Sequence, residues 1–294
     1  MQFSVKKSFI TSIKSSFIIL KLIVPIYILA DILFYYDVLQ HITFIFKPLV
    51  SLLGLPQEAA LSLVSGIFLN LYAAIAFAAP IGLGAKEWTI LAVFLGICHA
   101  LLVETEIMKK LGIPRVYSIL LRVVVGLFVG YITSKLPNSW FANKAIQDAS
   151  IPLQHEFNSI FSLLQNSLFE SLSLSIKVII LVTTLIFILD FIKSRSFINH
   201  YSQKVNSGFS IVVGVILGIT YGAGILISEY EKGSLCKKEI FYIGTYLMIC
   251  HAIIEDTLLF VIFGANPWVI IGLRLSFATL LSYLLVRYFA KKLI

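Results

Sequence analysis

Charge is what this sequence has least of. Only 13% of its 294 residues are Asp, Glu, Lys or Arg, about half the roughly 25% usual in soluble domains. Hydrophobic residues make up 59% and the mean hydropathy is +0.96, a balance that excludes an ordinary soluble domain and indicates an integral membrane protein. Cysteine is scarce too: Cys98, Cys236 and Cys250 form no CxxC pair and leave an odd number, which supports neither a disulfide framework nor an iron–sulfur site. There is no Walker loop, no HExxH zinc motif and no GxSxG elbow, so no enzyme is expected. The apolar runs are continuous instead of short and alternating, which argues against an outer-membrane barrel. The expected location is the cytoplasmic (inner) membrane, with several passes.

The net charge of +8 comes from residues at the ends of apolar segments: Lys6, Lys7, Lys14, Lys237, Lys238, Lys291 and Lys292. That placement fits topology and anionic-lipid contact, not nucleic acid. The basic N-terminus runs into an apolar stretch longer than a signal peptide's, and is expected to be retained as a first span with its N-terminus in the cytoplasm. Eight spans are expected: Ser15–Tyr35, Glu58–Ala79, Trp88–Met108, Val116–Thr133, Ser171–Asp190, Gly208–Ser228, Ile240–Ile262 and Trp268–Phe289. Residues 41–55, interrupted by Lys47-Pro48, are too short for a further span and are expected at the interface or re-entering. In the middle, Phe157, Ile160, Phe161, Leu164 and Leu168 recur at helical spacing, which predicts an interfacial helix joining two halves.

The chain repeats itself. ICHALLVET (Ile97–Thr105) returns as ICHAIIEDT (Ile249–Thr257), so His99 and His251 are 152 apart. The same shift carries Lys86-Glu87 onto Lys238-Glu239, Gly66 onto Gly218, Gly112 onto Gly264 and Arg122 onto Arg274; residues 86–122 match with 12 identities in 37 positions. Leucine and isoleucine can coincide by composition, but lysine, glutamate, histidine and arginine in one register indicate duplication. The fold expected is therefore all-α, polytopic, with about eight transmembrane helices in two four-helix repeats: 1–134, a linker 135–170, and 171–294. An odd number of crossings per half inverts the second half relative to the first, and an even number leaves the halves parallel; the sequence leaves both open.

Polar groups inside these runs are the functional candidates, since ionisable residues in a membrane are expensive and face inward. On continuous helices His251 and Glu255 lie one turn apart on one face, and His99 and Glu106 two turns apart. The matched acids Glu104 and Asp256 follow each histidine by five residues. Arg122 and Arg274 are their expected charge partners. His99, His251, Glu104 and Asp256 offer two nitrogens and two oxygens, compatible with a divalent first-row metal or a coupling cation; a histidine–carboxylate proton relay is the alternative. A second polar stretch, Ser62–Gly84, places Asn70 and Tyr72 inside a span; its counterpart, Gly214–Gly233, contains Thr220, Tyr221, Gly222 and Gly224. Either stretch is expected to pack closely or to break and hold a solute.

The stretch from Gly66 to Ile75 and the duplicated ICHA…ET/DT segments resemble the nucleoside-recognition, or Gate, family of membrane proteins. That family includes spore maturation proteins and resembles the membrane domains of nucleoside and ferrous-iron transporters. The resemblance implies motif positions at Gly66, Asn70, His99, Glu104 and Thr105, and at His251, Asp256 and Thr257. The second half has Gly222 where Asn70 would match, and Asp256 in place of Glu104, so one shared asymmetric site is expected before two identical ones. The function expected is passage of a small polar solute or cation through a site between the repeats. The alternative is a non-transporting membrane scaffold. Expected partners are the lipid bilayer, the solute, and a second copy or another membrane protein.

Overall fold

A backbone surrounded by hydrocarbon must bond its own amides and carbonyls, which leaves helices as the economical answer for such apolar runs. The computed structural model describes residues 4–36, 38, 46–141, 159–194, 207–219 and 235–293, and every regular element among them is helical. In chain order these are α1 (Val5–Tyr35), α2 (Lys47–Leu53), α3 (Ala60–Phe68), α4 (Leu71–Ala78), α5 (Ala85–Cys98), α6 (Leu101–Lys110), α7 (Arg115–Lys135), α8 (Ile160–Lys193), α9 (Ser207–Leu217), α10 (Lys237–Ile249), α11 (Ile253–Val261) and α12 (Pro267–Leu293). The described residues give six stretches long and apolar enough to cross a membrane: α1, α5 with α6, α7, α8, α10 with α11, and α12. A seventh results if α2 and the bent stretch after it count as one span. The protein is thus an all-α polytopic membrane protein with six to seven candidate spans.

The largest departure from the expected eight lies at Glu58–Ala79. Ser62 Oγ donates to the Ala74 carbonyl at 2.8 Å, whereas twelve residues of straight helix would separate them by about 18 Å. The chain instead folds back, with α3 and α4 as the legs of a hairpin and Leu69–Asn70 at its tip. Asn70 is extended and its side chain accepts from Ala73 N at 3.0 Å, so it caps a new helix instead of continuing the old one. The legs approach closely because Gly66 has no side chain: a Cβ there would lie 3.1 Å from Ala74 Cβ. Before the hairpin, Pro48 opens α2 and left-handed Gly54 (φ 68°) closes it, and the chain bends by 111° into the stretch Gln57–Phe68. Leu53 packs against Gly130 of α7.

Two further expected spans are broken in the middle. Trp88–Met108 divides into α5 and α6 at His99-Ala100, and Ile240–Ile262 divides into α10 and α11 at Cys250–Ala252. Ala100 and Ala252 both take the left-handed conformation at φ 45°, and no other described non-glycine residue has a positive φ. Residues 160–170, expected on an interfacial helix, are instead the opening turns of α8, which continues unbroken to Lys193. Of Gly208–Ser228, α9 covers the first part; Thr220, Tyr221, Gly222 and Gly224 lie outside the described residues, as do 39–45 and Phe157.

Corresponding helices of the two halves run in opposite directions. Along α1 and α8, Ser8 bonds Asp190 at 2.7 Å while Asp31 bonds Ser167 at 2.5 Å, so one helix ascends as the other descends. Phe128 meets Phe277 and Tyr117 meets Phe289 along α7 and α12. The first turn of α5 lies beside the far end of α11, where Trp88 stacks on Phe263 at 4.2 Å. The broken helices form the centre. Of their most apolar stretches, 67% and 78% is buried, against 22–39% for the other four spans, whose exposed Phe17, Phe161, Phe169 and Ile180 suit contact with lipid.

Candidate functional site

A helix that stops inside a membrane leaves its last carbonyls and the next helix's first amides without partners. Here the partners are supplied in the same way twice. Arg122 donates from Nε to the Ile97 carbonyl and from Nη2 to the His99 carbonyl, both at 2.6 Å. Arg274 donates from the same atoms to Ile249 at 3.4 Å and His251 at 2.8 Å. On the amide side, Ala100 N donates to the Gly66 carbonyl at 3.0 Å and Ala252 N to Gly214 at 3.4 Å. The 152 shift had paired Gly66 with Gly218. The structure gives that role to Gly214, one helical turn earlier, and the packing agrees: a Cβ at Gly66 would meet Leu95, and one at Gly214 would meet Leu247. A four-residue difference in length preserves the helix face, which is why the slip is tolerated.

Each break also creates a helix N-terminus, the positive end of its dipole, and the matched acids sit in that first turn. Glu104 Oε2 lies 2.9 Å from Arg122 Nη2, and Asp256 Oδ2 lies 3.1 Å from Arg274 Nη1. Both arginines are fully buried. Arginine, carbonyl pair and acid therefore form one unit at each break, a carbonyl cap that also neutralises the acid.

Between the units the symmetry stops. His99 Nε2 and His251 Nε2 each lie 3.2 Å from the same oxygen, Glu104 Oε1, and the two imidazole centroids are 5.2 Å apart. One donor atom from each of the three residues falls within 4.8 Å of the others. The remaining ring nitrogens decide the chemistry. His99 Nδ1 is 2.8 Å from the Leu95 carbonyl, and His251 Nδ1 is 2.7 Å from the Leu247 carbonyl. A carbonyl oxygen can only accept, so each Nδ1 carries its proton, and in a neutral imidazole Nε2 is then a bare lone pair. Both lone pairs face a carboxylate oxygen. This arrangement repels itself unless a proton, a cation or a ligand's donor stands between them.

Of the residues singled out from the sequence, His99, His251 and Glu104 meet in this cluster. Asp256 is held by Arg274, outside the three-donor group. Glu106 faces outward and pairs with exposed Arg115 at 2.5 and 2.8 Å; the face it was to share with His99 existed only on an unbroken helix. Glu255 leaves the face of His251 for the same reason, and its Oε1 accepts from Tyr72 of the hairpin at 3.3 Å. Asn70 caps α4. Arg274 additionally donates to the Gly96 carbonyl at 2.6 Å, tying the halves together, while Arg122 Nη1 and Thr257 Oγ1 are buried without a hydrogen-bond partner. Cys98 and Cys250 are buried, with Cys98 Sγ donating to the Arg122 carbonyl at 3.0 Å. Sequence reasoning missed the carbonyls of Gly66, Gly96 and Gly214, because backbone acceptors leave no trace in residue identity.

The comparisons with known proteins agree with this picture. A family model described as nucleoside recognition, Gate, matches residues 16–114, which takes in most of α1, the hairpin, the first break and Glu104. The chain is 30% identical over 276 residues to the "Uncharacterized membrane protein YvoD" of Bacillus subtilis (strain 168), covering 89% of this chain and 87% of YvoD. No solved structure matches. The likeness to YvoD spans both halves, and the match to the model includes the first broken helix. The chain belongs to the nucleoside-recognition (Gate) family of membrane proteins.

Proposed function

We propose that this protein moves a small polar solute or cation across the cytoplasmic membrane, through a site where two broken helices of opposite direction meet. The observation that carries this reading is the convergence of two histidine Nε2 atoms, one from each half, on one buried carboxylate oxygen. Packing alone does not call for so polar a cluster, because apolar side chains of similar volume often stabilise at least as well as buried ionic groups. The architecture supports the same reading. Two broken helices of opposite direction, one from each half of the chain, with half-helix ends meeting centrally, resemble the arrangement used by carriers that rock one unit against the other. The ligand must supply what the site lacks: positive charge, or N–H and O–H donors. Nucleosides, which the family's description names, belong to the second class.

A scaffold reading has one specific observation in its favour. Arg122 and Arg274 are largely occupied with helix-end carbonyls, and so serve the fold whether or not a ligand binds. Reconstitution into proteoliposomes separates the two, with a panel of nucleosides, amino acids and mono- and divalent cations offered to each preparation. The carrier reading expects uptake of at least one class, abolished by Glu104→Gln in protein that remains monodisperse. Absence of flux and of ligand-induced thermal stabilisation across the panel would leave the scaffold.

A further inference from the structure

We propose that the occupant of this site is a divalent first-row transition-metal ion, bound by His99 Nε2, His251 Nε2 and Glu104 Oε1. The proposal rests on the reading of the cluster as a ligand site and names its substrate class.

Size is the first argument. The three donor atoms form a triangle with two sides of 3.2 Å and a third of at most 4.8 Å. The point equidistant from them in its plane is then no more than about 2.4 Å from each, which is near a metal–ligand bond and shorter than a hydrogen bond. A side of 3.2 Å is also close to the edge, roughly 3.3 Å, of a tetrahedron built on bonds of about 2.05 Å.

Donor count is the second. A water or hydroxyl placed there has at most two hydrogens for three acceptor atoms, and protons satisfy the cluster only if each imidazole takes one of its own. One metal ion satisfies all three.

The surroundings are the third. A metal-bound imidazole almost always donates its other N–H to a carbonyl or carboxylate, which fixes the tautomer. Both imidazoles already do so, to Leu95 and Leu247 at 2.8 and 2.7 Å. The carboxylate is held in turn by Arg122, 2.9 Å from its other oxygen. Two imidazoles and one carboxylate favour zinc, cobalt, iron, nickel or manganese over magnesium or calcium, which prefer oxygen donors throughout. Three protein donors also leave a coordination position open, suited to an ion that must leave again. Because the donors come from both halves, movement of one half against the other opens the site.

The test uses the full chain, purified in detergent and stripped with chelator, titrated with cobalt(II) and followed by visible absorption. The expected result is about one equivalent bound, with the intense bands of a tetrahedral ion. These are lost in Glu104→Gln, His99→Ala and His251→Ala and retained in Glu106→Gln, with helical content checked by circular dichroism. Folded wild-type protein that binds no cobalt(II), zinc(II) or manganese(II) overturns the proposal, as does binding that survives Glu104→Gln. Carrier function fails separately: binding without flux in proteoliposomes keeps the metal site and removes transport, whereas nucleoside or proton flux without metal binding does the reverse.

Discussion

Arg122 shows at the level of one side chain how this fold tolerates charge in its centre. Its guanidinium holds two carbonyls that the end of α5 cannot bond and neutralises Glu104, all without exposure. Arg122→Met should therefore cost about 3–5 kcal/mol, the range for removing one partner of a buried pair, because Glu104 keeps its charge. Adding Glu104→Leu in the same chain should recover part of that loss while abolishing ligand binding. Thermal denaturation of the single and double variants in detergent checks this; a double variant no more stable than the single one would show that the carbonyl bonds, and not the carboxylate, dominate. Asn70 belongs to a different account. Its contribution is a helix cap, so Asn70→Ala is expected to cost about 1 kcal/mol and to leave the cluster in place.

At the level of elements the breaks are the decisive features, and they have no local signal. Neither glycine nor proline stands between Ile97 and Glu104 or between Ile249 and Asp256, so periodicity reads straight through both. What makes the breaks is tertiary: the arginines take the freed carbonyls, and Gly66 and Gly214 take the freed amides. Alanine at φ 45° carries a left-handed penalty of about 1–2 kcal/mol per residue, which glycine escapes. Ala100→Gly should accordingly fold and bind as the parent does. Ala100→Val, β-branched at the same φ, should lose about 2 kcal/mol or more and with it the cluster; equal stability of the two variants in a melting experiment would contradict a fixed left-handed turn. The composition made the membrane class and the all-α architecture legible, and the 152 register made the histidine, acid and arginine positions legible. The hairpin was not, because Ser62 to Ala79 is apolar enough to span and its return depends on Asn70 starting a new helix. Nor was the contrast between Glu104 and Glu106, which separates a buried ligand from a surface ion pair only once the helix is broken.

Over the whole molecule, inversion is carried by three pairs of opposed helices. Residues 152 apart near helix starts should then face opposite sides of the membrane. Val116 and Trp268 are such a pair, 69% and 80% exposed. In a Cys236→Ser background, single cysteines at these two positions should react with an impermeant maleimide from opposite sides of sealed vesicles; reaction from the same side would refute inversion. Inversion also explains why one acid serves both histidines: a central site on the axis between opposed halves is shared, and one carboxylate must occupy it. The central claim is that His99 Nε2 and His251 Nε2 converge on Glu104 so that a ligand can bridge them. Nitrogen-15 NMR of histidine-labelled protein, assigned by His99→Ala and His251→Ala, tests it most directly. Both rings should show a protonated Nδ1 in every sample, with Nε2 resonances that move to metal-bound positions when zinc(II) is added. A proton on Nε2 of both rings, unchanged by zinc(II), would contradict the account.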